Sequence, residues 1–478
     1  MVISKSLQKN VDEIKKLAAS DDVIFFDFIA ANARATAIFI ENLSDKEMIG
    51  KQVVKPLAEN LKTPNVSTAV KTVILPETEI ITDLLKAIEK IIGGDAVVFI
   101  DGEPKCFSAS AKKPVTRSVT EAPTSSVLKG PREGFVESLQ SNLSLIRQRI
   151  KSPDLKIEKL TIGKYSGTAV ALTYVKTIAN AGIVNEIRKR LNAIDVDGIT
   201  DSSTIIKCIS SRKTTLFKES GTTEKPDVLA AKLLEGRVGI IADGSPIAIT
   251  LPYMLLEDFQ SSEDYFTNTY RATFSRLLRL TAVVFSVLLP AVFVSAQLFH
   301  LQFIPLKFLL TIVNGIKGIP LSPSVEMFFT LLIFELLNEA SIRMPKYVGI
   351  AMSVVGALVL GETAVNAGIV STPTIMIVAL SGICLYTVPD LTETLSVLRI
   401  VYLIVAGSMG GFGIVLLTCG LITYVCSLNS FGVPYAAPYA PLILSDLKDS
   451  FIMGFYSESI KRPIALKTKN VKRKEGDL

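Results

Sequence analysis

The chain has 478 residues, of which 49% are hydrophobic and 20% are charged, and its mean hydropathy is +0.43. That average is too apolar for a soluble enzyme and too charged for a protein lying wholly in a membrane, so we expect two parts of different character. The formal charge of +6 is concentrated after Lys461, and no aromatic-interleaved basic patch precedes it, which excludes nucleic acid as a partner.

The first half of the chain predicts two α/β lobes. In the first cytoplasmic lobe, residues 1–110, apolar strands follow a helix and AVVFIDGEP forms a hairpin. Residues 111–134 are a Pro/Ser/Thr-rich linker. The second cytoplasmic lobe, residues 135–270, contains RVGIIADGSP, a similar Asp-Gly hairpin. The two hairpins indicate either related lobes or a chance recurrence, and the sequence leaves both open.

Catalytic motifs are missing from this half of the sequence. The chain has one histidine and five cysteines that stand singly, and it lacks a phosphate-binding loop, a nucleophile motif and metal-ligand spacing. DVDGITDSS resembles an aspartyl-phosphate loop, but a helical pattern precedes it, so we expect Asp197 and Asp201 to serve in turns and helix caps. We therefore predict no enzyme activity, no cofactor and no metal.

The stretch from Glu235 to Tyr270 leads from the second hairpin to the apolar segments. It passes through a proline and then through two pairs of acidic residues. The acidic residues are either a solvated face or part of an element that transmits a signal to the membrane. The coupling candidates in this stretch are Pro252, Glu257, Asp258, Glu263 and Asp264.

Residues 271–445 predict an all-α polytopic membrane domain with four to six crossings. Leu278 to Phe299 is long enough to cross a bilayer, and three arginines before it favour a cytoplasmic position for the lobes. Residues 303–316 are shorter and read as interfacial or re-entrant. Further spans are expected at 325–337, 347–367, 374–388 and 398–428. Residues 446–478 predict a basic, solvated cytoplasmic tail that touches anionic membrane lipid.

Several polar residues occur within the predicted spans. Carboxylates at membrane depth normally face a protein interior or a water-filled path, and helical spacing places Glu335, Asn338 and Glu339 on one side of their span. A purely structural pair of Glu339 with Arg343 remains open. Glu362 and Asn366 raise the same question in the next span. The Gly410-Gly411 pair indicates either close helix packing or a gating hinge.

Three stretches of this sequence together resemble the A subunits of the GerA-type spore germination receptors of endospore-forming bacteria. They are EGRVGIIADGSPIAITLPYMLLEDFQSSEDYF, ELLNEASIRMPKYVGIAMSVVGALVLGETAVNAGIVS and NSFGVPYAAPYAPLILSDLKDSF. The resemblance covers residues 195–451 well and the first lobe only loosely.

The resemblance implies a multi-pass protein of the spore inner membrane, with its N-terminal region on the core side. It implies two partner subunits, a transporter-like B subunit that binds the nutrient and a lipoprotein C subunit. It also implies a homo-oligomer, a pentamer, that forms a nutrient-gated channel for monovalent cations.

A mechanism follows as a hypothesis from the residues and the resemblance together. A ring of carboxylates at Glu335 and Glu339 would lower the barrier for cations, and nutrient binding to the B subunit would favour the open state. Two alternatives remain. One is a non-conducting signalling scaffold, and the other is a secondary transporter, whose repeated membrane halves we do not find in the sequence.

Overall fold

A computed structural model describes residues 1–18, 20–113, 129–212, 214–345, 348–349, 354, 356, 359–455 and 461–473. The predicted linker therefore lies largely outside the described residues, as does much of the predicted span 347–367. The first lobe is a five-stranded sheet with helices on both faces. Its elements are α1 (Leu7–Leu17), β1 (Val23–Ala30), β2 (Ala33–Ile40), α2 (Lys46–Met48), a π-helical stretch (Ile49–Val54), α3 (Lys55–Asn60), α4 (Val66–Thr72), β3 (Thr78–Ile81), α5 (Leu84–Ile92), β4 (Ala96–Ile100) and β5 (Cys106–Ala109).

The second lobe repeats this architecture. Its elements are α6 (Leu139–Arg149), β6 (Leu155–Ile162), β7 (Thr168–Val175), α7 (Ala181–Asn192), α8 (Ser202–Ile209), β8 (Gly221–Thr223), α9 (Pro226–Glu235), β9 (Val238–Ala242) and β10 (Ala248–Leu251). The strand orders, β1-β2-β4-β5-β3 and β6-β7-β9-β10-β8, are the same. The two Asp-Gly hairpins, β4–β5 and β9–β10, therefore occupy equivalent places, which favours related lobes over a chance recurrence.

Burial on both faces explains why the central strands are apolar throughout. In β4, Val97 and Phe99 pack in the core beside α5, whereas Val98 faces the core beside α3 and α4. Successive side chains of a strand point to opposite faces, so a strand covered on both sides needs an unbroken apolar run. Asp201, predicted as a cap, begins α8, and its carboxylate accepts a hydrogen bond from the Ser203 backbone N–H.

A buried ion pair joins the two lobes. Arg147 in α6 of the second lobe donates to both carboxylate oxygens of Asp22, each at 2.8 Å, just before β1 of the first. Both side chains are almost fully excluded from water. Beside them, Ser144 donates to the backbone oxygen of Asn42 at 2.5 Å. The lobes therefore form a continuous packed unit.

A helical region follows the second lobe. Its elements are α10 (Thr269–Phe299), α11 (Leu306–Ile316), α12 (Pro323–Arg343), a π-helical stretch (Val359–Thr363) that continues into a short α-helical segment (Ala364–Asn366), α13 (Thr372–Leu385) and α14 (Thr392–Ser427). α10 begins beside the second lobe, and we call that side of the helical region its lobe end and the opposite side its far end. Among the described residues, α10 and a helix over 389–427 are long and apolar enough to cross a membrane. The predicted four to six crossings are therefore not confirmed.

α14 is a helical hairpin rather than the single span predicted over 398–428. Gly410 has φ 61° and ψ −148°, outside helical geometry, and the chain folds back there. Near the start, Thr394 donates to the backbone oxygen of Leu216 at 2.7 Å. Near the end, Tyr424 donates to Thr215 at 3.2 Å. Both arms thus return to the same loop of the second lobe, and the prediction of one continuous span is wrong.

The basic tail is anchored on the second lobe by a few buried residues. Ala465 and Leu466 lie in the core of the second lobe. The Lys469 backbone N–H donates to the Ile178 oxygen at 2.9 Å, and the Arg462 side chain donates to the Leu234 oxygen at 2.8 Å. The prediction of a solvated tail is therefore wrong for Arg462, Ala465, Leu466 and Thr468, which are buried, whereas the other basic residues of 461–473 are exposed, as predicted. Residues 456–460 and 474–478 lie outside the described part.

Candidate functional site at the junction of lobe and helices

Two of the motif stretches noted in the sequence pack directly on each other. The first, residues 235–266, closes the second lobe, and the other, residues 429–451, follows the α14 hairpin. The Tyr253 backbone N–H donates to Ser430 at 2.9 Å, and the Tyr253 and Tyr435 rings lie 5.7 Å apart. The rings of Phe259 and Phe451 meet edge to face at 5.3 Å. This contact, which we call the junction, brings together the segment that precedes α10 and the segment that follows α14, and it joins both to the second lobe.

Glu257 is an internal carboxylate of the junction. It lies 2.6 Å from Arg237 and 2.7 Å from Lys232, and its side chain is 6% exposed. Burial alone would raise the pKa of this carboxyl, but the charges of Arg237 and Lys232 hold the pKa below its ordinary value. Glu257 is therefore a paired anion. Pro252 lies beside it, and its backbone oxygen accepts a 2.6 Å hydrogen bond from the same Arg237.

Asp258 links the lobe to the start of the hairpin. Lys218 lies 2.7 Å from Asp258 and 3.3 Å from Asp390, which immediately precedes α14. Tyr253 donates a short hydrogen bond to the other Asp258 oxygen. Burial raises the pKa of Asp258 to about 6, although Lys218 opposes the shift. The charge state of Asp258 can therefore change in mildly acidic conditions.

Asp264 ties the junction to the base of α10. It lies 3.2 Å from Arg276 and 2.7 Å from Arg279, and the fully buried Arg276 also reaches Asp449 at 2.8 Å. These are two of the three arginines that the sequence analysis used to place the lobes in the cytoplasm, and both are held by carboxylates. Glu263 lies next to them and is half-buried.

The acidic stretch is therefore not a solvated face. Glu257, Asp258 and Asp264 are each paired with cations, and only Glu263 is left without an ion pair among the described residues. The interpretation as a solvated surface is contradicted for three of the four carboxylates.

Glu335, the first pore candidate, forms an ion pair inside the helical region. Its carboxylate accepts a short hydrogen bond from Arg399 in the first arm of α14. Arg399 is fully buried and also donates to Ser381 of α13 at 3.0 Å. This arrangement fastens α12, α13 and α14 together. Within a single chain, Arg399 therefore neutralises the charge of Glu335, and the ion pair helps to hold the helices together.

The other pore candidates lie toward the surface. Glu339 is exposed and pairs with Arg343 one turn away, as the structural alternative proposed. Asn338 is half-buried, and Glu362 and Asn366 are exposed. The structure does not bring these four together with Glu335 in one cluster.

Gly410 and Gly411 lie at the bend of the α14 hairpin. A side chain at Gly410 would meet the Phe299 ring at 2.8 Å, and one at Gly411 would lie 3.3 Å from His300. The bend therefore rests on the far end of α10. Two features require glycine at position 410. The Phe299 ring leaves no room for a side chain, and the backbone conformation is one that essentially only glycine adopts.

Sequence reasoning missed four cations that pair with these carboxylates, Lys218, Lys232, Arg237 and Arg399, and also Asp449, which shares Arg276 with Asp264. Arg399 had a usable signal, since an isolated arginine within LSVLRIVYLIV needs a partner at membrane depth. The other residues carry no pattern that would have paired them with a particular carboxylate.

The architecture and the junction thus define a protein in which a double α/β unit is joined through buried ion pairs to an apolar helical region. The chain matches the profile described as "Bacillus/Clostridium GerA spore germination protein" over residues 12–465. It belongs to the GerA family, which confirms the resemblance noted above.

Individual relatives agree with this assignment. The chain is 35% identical to "Spore germination protein KA" of Bacillus subtilis (strain 168), over 100% of this chain and 90% of that protein. It is 32% identical to "Spore germination protein GerLA" of Bacillus cereus, over 97% of each. It also resembles a solved structure, the N-terminal domain of the A subunit of the Bacillus megaterium spore germinant receptor GerK3. That match has 27% identity and a TM-score of 0.43, and covers 53% of this chain and 98% of the domain.

Proposed function

We propose that this chain is the A-type membrane subunit of a nutrient germinant receptor and that it triggers spore germination. Its partners are a transporter-like B subunit, which binds the nutrient, and a lipoprotein C subunit. Family membership supports the role, and the names of the relatives concern germination. The observation that carries the mechanism is the junction, because its buried ion pairs would pass a movement of the lobes to α10 and α14.

The proposed location is the spore inner membrane, with the lobes on the core side. α12 runs away from the far end, since Ser324 lies against Gly407 near the hairpin bend, whereas Glu335 meets Arg399 nearer the lobe. With α10, α13 and both α14 arms this makes five traverses by described helices, and a sixth is proposed between Arg343 and the start of α13, because α12 ends toward the lobe and α13 begins at the far end. An even number agrees with a tail that packs on the second lobe.

We further propose that copies of this chain form a ring, a pentamer, that conducts monovalent cations when nutrient binds the B subunit. Polar residues that are exposed or half-buried would face the shared path, because Glu335 is neutralised within each chain. These are Asn338, Glu339, Glu362 and Asn366. Carboxylates repeated around a ring favour cations, and nutrient-bound B subunit would shift the population toward the open ring.

One observation favours a second candidate, a non-conducting signalling subunit. The ion pair of Glu335 with Arg399 gives this carboxylate a structural role. A pore is then not needed to explain why a carboxylate occurs at this place in the helical region. In that case the helical region would anchor the junction and pass its movement to the B subunit.

Ion flux separates the two candidates. Purified protein would be placed in liposomes, alone and with its B subunit, and potassium release would be followed with and without nutrient. Nutrient-dependent release that falls in Glu339→Gln and Glu362→Gln variants supports conduction. The absence of flux in assembled, nutrient-binding complexes rules conduction out and leaves the signalling role.

A further inference from the structure

A groove of about 320 Å³ lies at the far end of the helical region, between the end of α10, α11 and the start of α12. Its volume is within the range of small-molecule sites, about 300–1,000 Å³, which are mostly apolar with a few placed polar groups. The groove follows this pattern. It is lined by Gln297, Leu301, Leu309, Ile312, Val313, Ile316, Lys317 and Pro323.

The two polar lining residues are both nitrogen donors. The Gln297 side-chain Nε2 is buried and has no hydrogen-bond partner among the described residues. Leaving such a donor unpaired costs about 1–3 kcal/mol, so a ligand oxygen there would be favoured. Lys317 is exposed at the end of α11, and no described carboxylate forms an ion pair with it. The groove thus offers an amide donor, a cation and no acidic lining residue.

The surroundings of the groove determine which kind of molecule fits. Leu301 and Val313, which line the groove, have exposed apolar side chains, and Leu306 and Leu310 are exposed on the same helix as Val313. A water-soluble anion would leave these side chains exposed to solvent, whereas an acyl chain would cover them. Lys317 follows the last turn of α11, where a lysine can hold its ammonium group at headgroup level.

We propose that this groove binds one anionic phospholipid. An acyl chain lies along Leu309 and Ile312, an ester carbonyl accepts a hydrogen bond from Gln297 Nε2, and the phosphate lies beside the Lys317 ammonium group. This site goes beyond the germination function. The groove and the hairpin bend both meet the far end of α10, through Gln297 and Phe299 respectively.

Lipid retention tests the site. The full chain would be reconstituted in vesicles of equal phosphatidylglycerol and phosphatidylcholine, extracted in mild detergent and examined by native mass spectrometry. We expect wild-type protein to retain one phosphatidylglycerol. Lys317→Gln should reduce that retention about tenfold, as expected for loss of one hydrogen bond to a charged group. Val313→Trp, which fills the groove from an exposed position, should abolish retention of both lipids.

Lys307→Gln is the matched control, because this lysine lies on the same helix outside the groove lining, and it should retain lipid as wild type does. The proposal is overturned if Lys317→Gln and Lys307→Gln behave alike, or if wild-type protein retains no lipid. Equal retention of the two lipids would likewise contradict a site for an anionic headgroup. None of these readouts involves nutrient or ion flux, so they are independent of the proposed receptor function.

Discussion

Tyr402 donates a 3.0 Å hydrogen bond to Thr418, although the two residues would lie about 24 Å apart in a continuous helix. The bond exists because the chain reverses at Gly410. The reversal returns the end of α14 to the second lobe and places the following segment on the junction.

The hairpin predicts a specific cross-link. In a background without the five native cysteines, cysteines replacing Tyr402 and Thr418 should form a disulfide under mild oxidation, measured by a mobility shift after cleavage between them. A pair replacing Tyr402 and Ile422 serves as the control and should not react. Failure of the first pair in folded protein would contradict the hairpin.

Gly410→Ala should destabilise the helical region. Alanine in this backbone conformation costs about 1–3 kcal/mol, and its methyl group would contact Phe299. Gly420→Ala, at a helical position with open space around it, should be neutral or slightly stabilising. Thermal unfolding in detergent compares the two, and equal melting temperatures would argue against strain at the bend.

Removing Arg399 should be costly because it leaves Glu335 half-buried without its cation. We expect Arg399→Gln to lose about 3–5 kcal/mol of unfolding free energy and the double variant with Glu335→Gln to recover part of it. Arg343→Gln, which breaks the exposed pair with Glu339, should lose less than about 1 kcal/mol. Denaturant unfolding measures all three, and strictly additive losses would show that the pair is not coupled.

Asp258 predicts a pH dependence of stability. Burial raises its pKa in the folded protein to about 6, against about 3.9 when unfolded. The folded state therefore binds the proton more tightly, so this contribution is complete below about pH 4 and is lost as the pH rises through about 6. The difference corresponds to about 3 kcal/mol. Asp258→Asn should remove this slope from unfolding curves taken between pH 4 and 7, and an unchanged slope would exclude Asp258 as its source.

Neutralising Asp264 tests transmission through the junction. Asp264→Asn weakens the contact with Arg276 and Arg279, whereas Glu263→Gln alters a carboxylate that has no such pairing among the described residues. We expect Asp264→Asn spores to assemble the receptor at normal levels but to respond to nutrient more slowly, while Glu263→Gln spores respond normally. Loss of the assembled protein in Asp264→Asn would instead assign the residue a purely structural role.

The sequence by itself determined the features that depend on neighbouring residues. The apolar runs of β4 and β9 with their Asp-Gly turns predicted both hairpins, and residues 303–316 were predicted to be shorter than a membrane span, as α11 is. The residue types of three stretches sufficed to identify the family. These signals are local, because periodicity and turn chemistry act over a few positions.

Only the tertiary structure decided how the charges are used. Glu335, predicted as a pore charge, pairs with Arg399, which is distant in sequence. Asp264, predicted as part of a solvated face or a coupling element, shares Arg276 with the distant Asp449. The sequence marked Gly410 as a packing position or a hinge, but only its backbone conformation and the Tyr402–Thr418 contact showed that the chain reverses there. In the tail, the many lysines predicted a solvated segment, although Ala465 and Leu466 are buried. Their burial depends on the surface of the second lobe, which composition does not describe. Long-range packing decides each case, because the energy of a buried charge or a bend depends on what lies against it.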